Sequence, residues 1–78
     1  MTDTAALNEL IKKRGLKIKF VASHLGLSPY GFQLKAKNCK EFKTSEVQAL
    51  CELLEIKSLK EKESIFFKQR DDLKSFTR

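Results

Sequence analysis

The sequence predicts an all-α fold: one domain of five helices followed by a short C-terminal arm. Three observations carry this. Apolar residues recur at the three-and-four spacing of a single helix face, as in Leu7, Leu10, Ile11 and again in Val47, Leu50, Cys51, Leu54. Residues suited to starting helices (Asp3, Ser28, Ser58) alternate with residues suited to ending them (Gly15, Gly26, Asn38). And residues 18–37 read as helix, tight turn, helix, with every turn position filled by a residue the geometry needs.

Asp3 can cap a first helix running to about Arg14, with Leu7, Leu10 and Ile11 as its apolar stripe. Lys12, Lys13 and Arg14 crowd its C-terminal end, where cations suit the helix dipole or could equally meet a phosphate. A second helix begins near Lys17 or Ile18 and ends at Leu25, burying Val21, Ala22 and Leu25. Ala22 is small enough for another helix to cross closely, and Gly26 tolerates the positive φ of a sharp turn. Phe20 points away from the buried face, open to cover by the C-terminal arm or a partner, and His24 is a solvated histidine.

Ser28 then caps a third helix, Pro29 occupies its first position without wasting an amide, and the helix runs to Ala36 or Lys37. Phe32 and Ala36 fall on its core side. Tyr30, Gln33, Leu34 and Lys37 share one outward arc about 100° wide at 3.6 residues per turn. Asn38 closes this helix in the left-handed conformation, and a lysine-rich loop follows, in which Phe42 can staple onto the core. A fourth helix starts at Thr44 or Ser45. Ser58 and Glu61 form a capping box for a fifth, beginning at about Leu59 and stopping near Phe67 or Gln69. Phe66 is expected to pack inward beside Leu59. The divisions are therefore 1–67 for the domain and 68–78 for the arm.

Composition narrows the function. The chain has 78 residues, 41% hydrophobic and 33% charged, without an apolar run near the ~20 residues of a membrane span. No basic-then-apolar export signal opens it, and its two cysteines form neither a disulfide framework nor a Cys-x-x-Cys pair, so a reducing cytoplasm is expected. No carboxylate pair, Ser/His/Asp set, Gly-rich phosphate loop or metal-ligand cluster stands out, so no enzyme, cofactor, metal or small-molecule substrate is expected. The net charge of +6 is unevenly placed. Residues 12–43 hold Lys12, Lys13, Arg14, Lys17, Lys19, Lys35, Lys37, Lys40 and Lys43 against the single acid Glu41, while residues 44–78 are balanced. That asymmetry points to a polyanion.

The Ala22/Gly26/Phe32 spacing, the segment from Glu41-Phe42 through Ser45-Glu46-Val47 to Leu54, and the closing Lys60-Glu61-Lys62-Glu63 before Ile65-Phe66-Phe67 resemble small phage- and prophage-encoded Cro/repressor-like regulators. The resemblance covers roughly residues 7–67. It implies the lambda-repressor-like five-helix fold and sequence-specific binding of operator DNA in a bacterial host cell, usually as a homodimer. By position, Pro29, Tyr30 and Leu34 fall where that family reads base edges, with Gln33 beside them and Lys37 on the same arc. Lys17, Lys19, Ser28, Lys40 and Lys43 are expected on phosphates. Three positions depart from the family. Ile18 replaces a glutamine that holds a phosphate, Lys35 replaces an apolar residue whose burial Ala36 must partly supply, and Lys43 replaces a threonine, which would start the fourth helix one residue later. Phe67, Leu73 and Phe76 exceed what one core needs and are expected to form a dimer interface, or else to fold back over Phe20. Tyr30, Leu34 and Phe20 would also suit a protein-binding module on the same fold, such as a repressor antagonist.

Overall fold

The computed structural model describes residues 1–68. Among these residues it is all-helical: α1 (Thr4–Lys13), α2 (Ile18–His24), α3 (Pro29–Ala36), α4 (Thr44–Leu53) and α5 (Leu59–Phe66), with no strand. No helix among them is long and apolar enough to cross a membrane.

The helix starts follow the chemistry of their caps. Asp3 accepts the Ala6 N–H at 3.1 Å, Ser28 the Gly31 N–H at 3.0 Å and Ser58 the Glu61 N–H at 3.3 Å. For α5 the structure thus forms the serine bond of the expected capping box. For α4 the earlier of the two expected starts is observed: the helix begins at Thr44 with Lys43 at the N-cap. A lysine side chain has no acceptor to offer. Glu46 compensates, its carboxylate accepting the Lys43 N–H at 2.9 Å.

The helix ends share one device. After each of the first four helices a left-handed residue closes a Schellman pair, its own amide and the next one bonding back into the last turn. At Gly15 and Gly26 (φ 72° and 74°) glycine makes this conformation free of Cβ crowding. Asn38 takes it at φ 68°, as expected. Glu55, at φ 58°, does the same after α4. There Ile56 N–H reaches the Cys51 carbonyl at 2.8 Å and the Ile56 side chain buries itself against the core.

The core collects one stripe from each helix: Leu7 and Ile11, Val21 and Ala22, Phe32 and Ala36, Val47, Leu50 and Leu54, Ile65 and Phe66, with Ile56 from the α4–α5 connection. α2 packs against α3 and α4, and α1 against α5. Leu10 and Leu25, expected in the core, are only half-buried at its margin. The Leu59 expectation is overturned: it is 68% exposed. Phe66 instead packs edge-on against Phe42 (6.1 Å between ring centres), and Phe42 meets Phe32 at 5.8 Å. This run of three rings joins α3, the following loop and α5, so the Phe42 staple holds.

Candidate nucleic-acid interface

α3 is the element on which the predicted site residues converge. Phe32 and Ala36 are fully buried and fix its rotation; Ala22, also fully buried, lets α2 cross beneath. The opposite side then faces outward. Tyr30 is 74% exposed, and Pro29 and Lys37 are exposed beside it. Gln33 and Leu34 are half-buried, which narrows the outward arc relative to the helical-wheel expectation. Gln33 also borders a shallow groove of about 390 Å³ lined by Asn8, Ile11, Lys12, Leu16 and Ile18.

The expected phosphate residues Lys17, Lys19, Lys40 and Lys43 are all exposed, as is Ser28, whose oxygen is committed to capping α3 while its O–H remains free to donate. Lys12 and Lys13 are exposed too. Two members of the basic run are bonded to other parts of the fold. Arg14 Nε donates to the Leu54 carbonyl at 2.9 Å, where a cation meets the negative end of α4. Lys35 Nζ pairs with both carboxylate oxygens of Glu46, at 2.6 and 2.9 Å, with side-chain exposures of 12% and 10%. Burial pushes the Glu46 carboxyl upward, but the Lys35 ammonium and the Lys43 amide outweigh it and hold the group below its usual range. The side chain at position 35 is thus largely covered, as a charge with a partner one helix away, at the position where the resemblance implies an apolar residue. Glu46 is the functional neighbour that sequence reading missed; its i+3 spacing from Lys43 was the available signal.

A second group of bonds has no local signal in the sequence. Thr2, 7% exposed, is clamped by Asn38: the Thr2 N–H donates to Oδ1 at 2.8 Å and Nδ2 donates to the Thr2 carbonyl at 2.9 Å. The Thr4 hydroxyl donates to the Ala36 carbonyl at the end of α3. The C-terminal end of α3 is therefore held by the first residues of the chain.

Elsewhere, Phe20 is 52% exposed with its ring 6.4 Å from that of His24. Phe67 is 57% exposed at the rim of a groove of about 520 Å³ shared with Met1, Phe42, Val47 and Phe66. Leu73 and Phe76 lie outside the described residues. Cys39 is exposed just after α3, and Cys51 is half-buried, where burial pushes its thiol up and keeps it protonated. Among the described residues no three metal-ligating side chains gather.

Together these placements define a small helical domain whose third helix carries exposed Tyr30 and Lys37 within a chain segment rich in exposed lysines. In comparisons with known proteins, the chain matches no family model, no curated protein and no solved structure.

Proposed function

We propose that the chain is a sequence-specific double-stranded DNA-binding transcriptional regulator of the Cro/repressor-like kind, with the lambda-repressor-like arrangement of its five helices, acting by occupying an operator. What carries the reading is a juxtaposition. An outward helix bearing exposed Tyr30 and Lys37 lies on a chain segment whose remaining cations Lys12, Lys13, Lys17, Lys19, Lys40 and Lys43 are all exposed. A helix of this size fits the major groove, while lysines alongside neutralise phosphates.

In this reading Pro29, Tyr30, Gln33, Leu34 and Lys37 face base edges. The Gln33 amide suits adenine and the Leu34 side chain a thymine methyl. Lys17, Lys19, Ser28, Lys40 and Lys43 hold the backbone. A single short helix reads few base pairs, so two copies on two half-sites supply the affinity, joined through Phe67, Leu73 and Phe76. Lysine-to-alanine changes at 37 or 40 test the electrostatic part. Each should weaken binding to all duplexes alike and flatten the dependence on salt by about 0.9 log units per log of salt for every phosphate left without its lysine. Salt slopes that do not move would refute it.

The exposure of Phe20 and Tyr30 favours one competing role, docking of another protein by a repressor antagonist. In that case Tyr30→Ala would abolish the protein contact while no duplex is preferred over another.

A further inference from the structure

The bonds at the start of the chain reach two places at once. Thr2 and Thr4 are bonded to Asn38 and Ala36 at the end of α3. Asp3 N–H donates to the Ile65 carbonyl at 2.6 Å, near the end of α5. Lys68 N–H donates to the Met1 carbonyl at 2.8 Å, Met1 N donates back to the Lys68 carbonyl at 3.0 Å, and Lys68 Nζ lies 3.5 Å from the Asp3 carboxylate. Residues 1–4 thus form a short strap between the end of the outward helix and the end of the last one.

The bonding is paired in a way that a chance surface contact is not. The Asn38 carboxamide presents one acceptor and one donor to the Thr2 peptide, as another backbone would, and Met1 and Lys68 exchange two backbone bonds in the manner of a bridge. Asn38 has the left-handed backbone that ends α3, so its side chain and the end of that helix have a common root. If Asn38 releases Thr2, residues 1–3 lose the partner that seats them, and Asp3 and Lys68 lose their seated acceptors in turn.

We propose that residues 1–4 are a latch that couples the end of α3 to the end of α5, and that Asn38 is the positioning residue through which the latch sets the attitude of the outward helix. The role in reading DNA rests on the function proposed above; the latch does not. Asn38 touches neither base nor phosphate in this scheme. Coupling of this kind is reciprocal, so DNA held on α3 tightens the strap, and a tight strap favours the α3 attitude that DNA selects.

Asn38→Gly isolates the side chain, because glycine keeps the positive φ and removes only the carboxamide. The test uses the full chain, hydrogen exchange at the Thr2, Asp3 and Lys68 amides, and affinity for a selected duplex against a scrambled one. In free protein the variant should speed exchange at all three amides by about tenfold, the equivalent of the hydrogen bonding removed, with the rest of the helices still protected. DNA should slow exchange at Asp3 and Lys68 in the native chain and no longer do so in the variant. Preference for the selected duplex should fall about five- to tenfold, with scrambled binding changed less than about twofold. Unchanged exchange at Asp3 and Lys68 in free Asn38→Gly overturns the latch. A native preference that survives the substitution intact overturns the positioning role alone. A native chain that binds selected and scrambled duplexes alike overturns the DNA reading and the positioning role with it, while the exchange measurement still decides the latch.

Discussion

Removing one partner of the Lys35–Glu46 pair gives the sharpest check on how α3 is held. Both side chains are nine-tenths buried, and the ammonium meets both carboxylate oxygens. Breaking a fully buried pair costs about 3–5 kcal/mol, and an exposed one below about 1. Glu46 keeps the Lys43 N–H and can draw in water past its slight exposure, so Lys35→Ala should cost about 2–3 kcal/mol. A domain of this size has roughly 4–12 kcal/mol in all. The midpoint of thermal unfolding should therefore drop by roughly 10–20 °C, at about 4–8 °C per kcal/mol. Replacing both residues by apolar ones of similar volume, Lys35→Met with Glu46→Leu, removes the desolvation cost along with the attraction and should recover stability to within about 1 kcal/mol of native, less the missing cap at Lys43. Circular dichroism melts of the native chain, Lys35→Ala, Glu46→Leu and the double variant decide it. A single variant that melts within a degree or two of native, or a double variant worse than either single, would refute the view of this pair as a buried, mutually dependent unit.

Other expectations concern separate parts of the molecule. Phe32→Ala empties the fully buried centre of α3 and should cost about 3–5 kcal/mol, read from urea unfolding; an unchanged midpoint would mean α3 is rotated otherwise. Glu55→Gly should stabilise the domain by about 0.5–1 kcal/mol, because it relieves a left-handed glutamate and removes an anion from the negative end of α4; a lower melting temperature would contradict this. Glu46 and Asp3 are both held below their usual pKa, Asp3 chiefly by the Ala6 amide. Their contribution is therefore complete above the ordinary values of 4.5 and 3.8 and is lost as pH falls through the lower folded ones. Urea midpoints should stay level down to about pH 5 and then fall, and Glu46→Gln should flatten part of that fall. Phe67→Ser should shift a sedimenting dimer toward monomer without changing the melt of the monomer; a native chain already monomeric where it binds DNA would sink the proposed assembly.

Much of the helix layout was legible because the signals were local. Asp3, Ser28 and Ser58 cap by reaching three residues ahead, and Gly15, Gly26 and Asn38 end helices through their own backbone. Glu55 was missed for the same reason: glutamate has no intrinsic taste for positive φ, and the buried Ile56 beyond it forces the turn. The partners left unnamed at Lys35 and Arg14, and the misplaced neighbour at Leu59, are all matters of distance along the chain. Lys35 finds its carboxylate eleven residues on, Arg14 its carbonyl forty residues on, and Phe66 prefers a ring from the α3–α4 loop to a leucine on its own helix. Periodicity assigns a face but not the neighbour waiting there. The strap was invisible because Thr2 and Asn38 are ordinary residues until folding sets them side by side.

Whether α3 reads sequence at all is decided by selecting bound duplexes from a random pool with the intact chain. The expected result is enrichment of one sequence, arranged as two related half-sites about a helical turn apart, with Gln33→Ala relaxing one or two base pairs in each half by about 1–3 kcal/mol of discrimination. Recovery of duplexes with no common sequence, or a consensus that Tyr30→Ala and Gln33→Ala leave unaltered, would contradict it.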